Sequence, residues 1–286
     1  MAHAESIVGT ASTVSSWILL EHPGPWGRSA LSGPRLPRRG SRTLRALSAE
    51  LGVRIVLVRR YGRRRPSATT MCFLAHTGAR APWLRRAPLD RSEDVFDLDL
   101  SAMRLGEPPT VGEDDGGPLF VTCTHGRRDP CCAERGRPVA RALDRAYPER
   151  SWEVSHIGGD RFAANLVCFP HGLYFGRLEP ADAVMTARAY ERGVIDLAHY
   201  RGRSCYPFAV QSAEAFVRTR TGLAGVGDLV LVRIERVGGD GVGATFVSPD
   251  GVWHTVTVRT RPAAVPRVLT CHGAEGVRPP TYLIQG

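Results

Sequence analysis

The sequence predicts a mixed α/β protein with three regions, on the basis of its composition, its hydrophobic periodicity and its glycine and proline breaks. Apolar residues make up 43% of the 286 residues and charged residues 23%, which is typical of a globular chain and excludes a disordered or collagen-like one. Strand-like runs alternate with helical periodicity over most of the chain, and only strand-like runs follow. The predicted regions are 1–112, 113–222 and 223–286.

The first region is predicted to be an α/β domain. Helical periodicity over residues 41–51 is followed by two apolar runs, VRIVLV at 53–58 and CFLAH at 72–76, that predict short strands. The segment EPPTVGEDDGG at 107–117 is polar and rich in proline and glycine. We therefore predict a linker or surface loop at the end of this region.

The second region has the clearest pattern, with Val139, Ala142, Leu143 and Ala146 at the spacing of an amphipathic helix. The predicted elements are a strand at 119–122, a helix at 133–147, a strand at 152–156, a hairpin of strands at 165–169 and 173–177, and a helix at 180–192. This β-α-β-β-β-α order is typical of a small α/β sandwich of the thioredoxin kind.

The third region is predicted to be a small antiparallel β element. Three β-branched runs, at 229–234, 243–247 and 253–258, are separated by the turn sequences GGDG and SPDG. Short runs with turn signals at such spacing favour a meander of antiparallel strands.

The positive charge is concentrated in the first third of the chain. All 38 basic residues are arginine and the net charge is +10. Residues 1–90 hold 15 arginines and four acidic residues, whereas the remainder is nearly neutral. Such a field attracts acidic molecules, and we expect an acidic redox partner protein. Nucleic-acid binding is not favoured, because aromatic residues for base stacking are not interleaved with the arginine runs.

The N-terminus and the cysteines indicate a location and a type of chemistry. The N-terminus has no basic segment of a secretory signal, and no run approaches the roughly 18 apolar residues of a membrane span. We therefore expect a cytoplasmic protein without a membrane segment. In such a protein, seven cysteines indicate metal or redox chemistry rather than structural disulfides.

Two cysteines are candidate metal ligands. In VTCTHGRRDPCC, at 121–132, Cys123 ends a predicted strand and Cys132 directly precedes a predicted helix, with eight residues between them. A loop of that length can bring both thiolates to one centre, and the positive N-terminal end of the helix favours their ionisation. The alternative is a redox-inert loop with incidental thiols.

A second motif, SHIGGDRFAANLV, follows the next predicted strand. Its residues His156 and Asp160 have three residues between them, two of which are Gly158 and Gly159. The two glycines permit a tight turn in which the backbone approaches a bulky cofactor. Two thiolates and an imidazole from neighbouring loops can bind zinc or an iron–sulfur cluster. Taken alone, His156 is more typical of a hydrogen-bonded histidine at a strand end.

Four stretches resemble the sucrase/ferredoxin-like family. They are GTASTVSSWILLEHPGPWG, CTHGRRDPCCAERGRPVA, SHIGGDRFAANLVCFPHGLYFGRL and HYRGRSCYPF, and together they span roughly residues 7–210. The resemblance implies a thioredoxin-like [2Fe–2S] ferredoxin fold in the C-terminal half of the family's members. In characterised eukaryotic relatives, two cysteines in a C-x8-C spacing and two histidines in an H-x3-H spacing bind the cluster.

Carried over by position, the resemblance implies Cys123, Cys132 and His156 as cluster ligands. Asp160 stands at the second histidine position. This departure matters, because a carboxylate is a harder ligand than imidazole and is uncommon in iron–sulfur sites.

Three outcomes are open at this point. The carboxylate of Asp160 ligates the cluster, or another residue such as Cys131, Cys168 or His125 does, or the chain has kept the fold without the cluster. Arg161 directly follows the ligand motif and is expected to offset the negative charge of the cofactor site.

We therefore predict an electron-transfer protein with a [2Fe–2S] cluster, rather than an enzyme. The alternatives are a cluster-free interaction or structural module with the same fold, and a zinc-binding variant. Sugar hydrolysis is not favoured, because the candidate carboxylate pairs Asp97/Asp99 and Asp114/Asp115 lie in acidic runs without aromatic residues to stack on a sugar.

Overall fold

The mixed α/β class is confirmed by a computed structural model that describes residues 5–33, 35–63, 68–271, 273 and 276–285. Within these residues the chain forms a ten-stranded sheet, a four-stranded antiparallel sheet, a two-stranded ribbon and four α-helices. None of the helices in this described part combines the length and the hydropathy that a bilayer crossing requires.

The described part of the chain contains sixteen strands and four α-helices. The strands are β1 (Ser16–Glu21), β2 (Arg38–Arg39), β3 (Arg42–Thr43), β4 (Arg54–Arg59), β5 (Thr70–His76), β6 (Trp83–Leu89), β7 (Glu113–Asp114), β8 (Leu119–Cys123), β9 (Ser151–Val154), β10 (Leu166–Phe169), β11 (Leu173–Phe175), β12 (Tyr200–Arg203), β13 (Val230–Val237), β14 (Gly241–Val247), β15 (Trp253–Pro262) and β16 (Pro280–Gln285). The helices are α1 (Leu44–Leu51), α2 (Pro130–Ala146), α3 (Pro180–Glu191) and α4 (Phe208–Thr221).

The large sheet contains strands from both sides of the predicted boundary at 112/113. Its order is β12-β11-β10-β8-β9-β4-β1-β5-β6-β7. The two halves join where β4 pairs antiparallel with β9, with Val58 opposite Val154. At this junction Arg59 and Glu153 form a buried ion pair at 2.7 Å. The first and second predicted regions therefore share one hydrogen-bonded framework.

The large sheet curls, so that strands far apart in its order come into contact. Three strands separate β1 from β10, yet the rings of Trp17 and Phe169 lie 5.4 Å apart. The inner face of the curl forms a core cluster that includes Cys123 and Cys132. Because side chains alternate along a strand, Phe120 of β8 lies on the outer face, in a different cluster.

Helices cover the outer face of the sheet. Helices α2 and α3 pack on it through Val139, Leu143, Ala183 and Ala187. Helix α1 packs on the half of the sheet that contains β1, β4 and β5. Each helix thus buries its apolar stripe against the sheet, as its periodicity predicts.

The predicted helices form, but two of them begin at other residues. Helix α1 begins at Leu44 rather than at 41, because the Thr43 hydroxyl accepts the Ala46 N–H and caps the helix. Helix α2 begins at Pro130 rather than at 133, since proline is well suited to the first helical position. Cys132 consequently lies in the first turn of α2 rather than before it.

The C-terminal four-stranded sheet, in the order β13-β14-β15-β16, packs on α4. Three of its strands match the predicted meander, and the fourth, β16, was not predicted. A buried ionic network fixes α4 to β12: Glu214 accepts from Arg218 Nη2 at 3.0 Å and from the Tyr200 hydroxyl at 2.9 Å. The Nε atom of Arg203 lies 3.7 Å from the same carboxylate. The Glu214 and Arg218 side chains are both fully buried.

We expect Glu214→Ala to lower the free energy of unfolding by about 3–5 kcal/mol, because it leaves two buried guanidinium groups without their carboxylate. The matched control is Glu235→Ala, which breaks an exposed pair with Arg233 and should cost less than about 1 kcal/mol. Urea unfolding followed by circular dichroism measures both. Similar small losses for the two variants would contradict the stabilising role of the buried network.

Candidate metal centre

The candidate centre lies where two loops leave the same edge of the large sheet. Strands β8 and β9 are parallel, with Cys123 paired opposite Val154 at their carboxyl ends. The loop after β8 leads into α2, and the loop after β9 carries His156 and Asp160. Because parallel strands end at the same edge, these two loops lie side by side.

Three of the four predicted ligands converge. The ligating atoms of Cys123, Cys132 and His156 all lie within 4.8 Å of one another. Both cysteines are 1% exposed, whereas the His156 side chain is 26% exposed. The structure thus brings two buried sulfurs and one nitrogen, from separate elements, to a single point.

The fourth predicted ligand, Asp160, borders this point. Its Oδ1 atom lies 3.2 Å from Cys132 Sγ and 3.0 Å from His156 Nδ1. The Nδ1 atom is buried and has no hydrogen-bond partner of good geometry in the described part of the chain, despite that proximity. A buried polar atom without a partner is costly in a folded protein. The donor set, two sulfurs, a nitrogen and a carboxylate oxygen, therefore fits a thiophilic metal or an iron–sulfur cluster.

The thiols of Cys123 and Cys132 differ in pKa. A hydrogen bond from the Cys132 thiol lowers the pKa of Cys123 to about 7 despite burial, and the backbone N–H of His125 acts in the same direction. That hydrogen bond, burial and the nearby charges of Cys123 and Asp160 raise the pKa of Cys132. Cys123 is therefore the sulfur that ionises first, which prepares the site for a cation because the thiolate is the ligating form.

His125 holds the second loop in place and is not oriented as a ligand. Its Nδ1 atom accepts the His156 backbone N–H at 3.2 Å, and its Nε2 atom lies 2.8 Å from the carbonyl oxygen of Gly27. These contacts require the tautomer with the proton on Nε2. Burial lowers the pKa of His125. The ring also packs against Trp26 at 5.7 Å, so it is a neutral support for His156.

The two glycines of the second loop adopt conformations that other residues rarely adopt. Gly158 and Gly159 have φ values of +95° and +79°. A Cβ atom at Gly159 would lie 2.2 Å from Arg201 Nη2. Both glycines therefore allow the turn, and Gly159 makes room for a buried arginine.

Arg201 is a buried cation beneath this loop. The residue is fully buried, and its Nη1 atom donates to Asn165 Oδ1 at 2.8 Å and to the Gly158 carbonyl at 3.2 Å. Burial lowers its pKa to about 10, although the negative charges of Asp160 and Cys123 act in the opposite direction. Arg201 therefore stays charged at neutral pH and faces the negative groups of the site.

The remaining predicted residues do not join the three converging side chains. Arg161 is engaged by Glu5, with Nη2 to Oε1 at 2.8 Å. Cys168 belongs to the core cluster on the outer face of the sheet. Cys131 donates its thiol proton to Asp129 Oδ1 at 3.0 Å. In this structure, the side chains of these predicted candidates are directed to partners other than the three converging ligands.

Gly136 is a supporting residue that the sequence did not single out. A Cβ atom at this position would lie 2.1 Å from the carbonyl oxygen of Cys123. Helix α2 can therefore approach the end of β8 only because this residue has no side chain. The close approach sets the distance between Cys132, one turn earlier on α2, and Cys123.

The chain is similar to a known family over most of its length. A family model described as sucrase/ferredoxin-like matches residues 7–202. A similar curated protein is "Altered inheritance of mitochondria protein 32" of Meyerozyma guilliermondii, which is 30% identical over 95 residues. The match covers 29% of this chain and 34% of that protein, so the chain spans about a third of the relative's length. No solved structure matches the chain.

We expect Gly136→Ala to destabilise the fold by about 1–3 kcal/mol, because the added methyl group overpacks against the Cys123 carbonyl. In an exposed helix the same change would stabilise by about 1 kcal/mol, so the sign of the effect is informative. Arg137→Ala, at the exposed neighbouring position, is the control. The free energy of unfolding of each variant is measured by urea titration. An unchanged or higher value for Gly136→Ala would contradict this expectation and show that α2 can move away from the Cys123 carbonyl.

Proposed function

The chain belongs to the sucrase/ferredoxin-like family, and we propose that it is an electron-transfer protein with a [2Fe–2S] cluster on Cys123, Cys132, His156 and Asp160. The observation that carries this proposal is the convergence of two buried sulfurs and an imidazole nitrogen beside a buried carboxylate. Such a donor set binds soft or borderline iron and adds one reversible electron carrier to the protein.

We further propose that the segment from β8 to α3 is a thioredoxin-like ferredoxin domain. The order of its strands in the sheet, β11-β10-β8-β9, supports this proposal, as does the parallel pairing of β8 with β9. Strand β10 is antiparallel to β8, and β11 is antiparallel to β10. Helices α2 and α3 contribute to one core cluster with these strands.

The charges around the centre support redox chemistry. With the cluster bound, two thiolates and the Asp160 carboxylate would concentrate negative charge in a buried place, and Arg201 supplies a buried positive charge below the same loop. Histidine ligation raises the reduction potential of an iron–sulfur centre relative to all-cysteine ligation. The carboxylate of Asp160 acts in the opposite direction, since a negative ligand stabilises the oxidised state.

We propose that an acidic redox partner docks beside His156. This residue is the most exposed of the three converging ligands. It borders a cleft of about 380 Å³ whose lining includes Arg28, Arg45, Arg54 and Arg128. Arginine side chains bind carboxylates with paired hydrogen bonds, and their field steers an acidic surface to the partly exposed imidazole.

A test of the cluster uses protein purified without oxygen. We expect a red-brown wild-type protein with iron and inorganic sulfide in equal amounts, and Cys123→Ser should lose nearly all of both because a required thiolate is absent. Cys205→Ala removes a half-buried thiol outside the centre and is the matched control. Circular dichroism verifies that each variant is folded. A colourless, folded wild-type protein without metal would instead support a cluster-free interaction module.

The role of Asp160 can be measured separately. We expect Asp160→His to retain the cluster and to raise its reduction potential, because a neutral imidazole replaces an anionic ligand. Asp160→Ala should lower the iron content. The exposed acidic residue Glu134, on α2, serves as the control in Glu134→Ala. Full iron content and an unchanged potential in Asp160→Ala would remove Asp160 from the set of ligands.

The compactness of the centre favours zinc as a second candidate. Zinc is held at about 2.3 Å by sulfur and about 2.0–2.1 Å by nitrogen, and ligating atoms within 4.8 Å of one another suit a single ion. A two-iron core is longer and requires His156 to lie farther from the sulfurs than it does in this structure. A colourless wild-type protein with one equivalent of zinc, lost in Cys123→Ser, would favour this second candidate.

A further inference from the structure

A second group of ligating side chains lies beside the candidate centre. The ligating atoms of Asp129, Cys131 and Cys271 lie within 4.8 Å of one another. Asp129 directly precedes α2, and Cys131 lies in the first turn of that helix. Cys271 comes from the segment between β15 and β16, far along the chain. Two thiols and a carboxylate from distant parts of the sequence thus meet at one place.

Hydrogen bonds already organise these three residues. The Cys131 thiol donates to Asp129 Oδ1 at 3.0 Å, and the Cys271 backbone N–H donates to Asp129 Oδ2 at 2.8 Å. The Cys131 sulfur also lies 3.2 Å from the carbonyl oxygen of Asp160. Asp129 is fully buried, Cys131 is half-buried and Cys271 is exposed. The carboxylate is therefore oriented toward both cysteines from the inside, and solvent reaches the group from the side of Cys271.

We propose that Asp129, Cys131 and Cys271 bind a zinc ion at a site separate from the centre of Cys123, Cys132 and His156. Zinc is a borderline-soft cation that accepts both thiolate and carboxylate ligands in a tetrahedral arrangement. Binding converts both thiols to thiolates and releases two protons to solvent, while the Asp129 carboxylate stays ionised. Three protein ligands leave the fourth position open, as in zinc sites that bind water or another molecule.

The buried carboxylate favours zinc over the simplest alternative, a disulfide between Cys131 and Cys271. Oxidation to a disulfide would remove the proton that Cys131 donates to Asp129. The buried Oδ1 atom would then lose a hydrogen bond, which is unfavourable for a desolvated carboxylate. A zinc ion replaces that proton with a stronger positive partner. The donor set is thus better suited to a cation than to a covalent bond between the sulfurs.

The proposed ion links two regions of the chain. It joins the first turn of α2, which also carries Cys132, to the segment that connects β15 with β16. The C-terminal β element is thereby fastened next to the loop of the candidate centre. Zinc at this site would hold Cys271 beside the start of α2 more firmly than the hydrogen bond from its backbone N–H to Asp129 does.

The test measures zinc binding under reducing conditions in the double variant Cys123→Ser/Cys132→Ser. This background variant lacks the two sulfurs of the first centre. The chelator-treated protein is titrated with Zn²⁺ against a chromophoric chelator. We expect one tight equivalent in the background variant, its loss when Cys271→Ala is added, and its retention when Cys205→Ala is added as the control. Cys271 is exposed, so its replacement should leave the fold intact, as circular dichroism verifies.

A second measurement uses the otherwise unmodified chain, purified without oxygen. We expect Cys271→Ala to lose zinc while its iron content stays equal to that of the wild type. Equal zinc binding with and without Cys271 would overturn the proposal. A joint loss of iron and zinc would also overturn it, by placing Cys271 in the first centre. A wild-type protein that contains no zinc, and whose mass is lower than that of the reduced protein by two hydrogen atoms, would overturn the proposal in favour of the disulfide. Because zinc and iron are measured separately, absence of the iron–sulfur cluster leaves this test intact.

Discussion

The candidate centre depends on the parallel pairing of β8 with β9. This pairing places the loop after Cys123 and the loop after Val154 at one edge of the sheet, where their side chains meet. Neither loop holds the geometry alone. Gly136 allows α2 to approach β8, while His125 and Arg201 hold the backbone around His156 and Gly158. The site is therefore a property of the sheet and its helices rather than of a single motif.

Electrostatic balance is the second constraint on the centre. Negative groups are concentrated in a place that water barely reaches, and such concentration is unfavourable unless positive charge lies nearby. Arg201 provides it from below the loop, where its guanidinium is bound by Asn165 and by the Gly158 carbonyl. The same arginine thus shapes the loop and offsets its charge. Replacing the second histidine of the family pattern with Asp160 makes this balance more important, because it adds one more negative group.

Local patterns predicted much of the fold and the principal side chains of the site. Periodicity identified α1, α2 and α3 but not α4, and C-x8-C with H-x3-D identified the three candidate ligands that converge. Long-range features were not predictable from these patterns. The curl that brings Trp17 onto Phe169 arises from strands paired across large separations in sequence. The role of Arg201 depends on tertiary contacts that no spacing records, and Gly136 looks like an ordinary helix residue until the Cys123 carbonyl beside it is known.

The junction of β4 with β9 has a mechanical consequence for the whole molecule. The two halves of the sheet exchange backbone hydrogen bonds there, and each half covers part of the other's apolar inner face. Neither half can therefore open without exposing the interior of its neighbour to water. Heating should thus disrupt both halves in one cooperative step. The segment around Trp17 therefore contributes to the thermal stability of a candidate centre that lies more than a hundred residues away in the sequence.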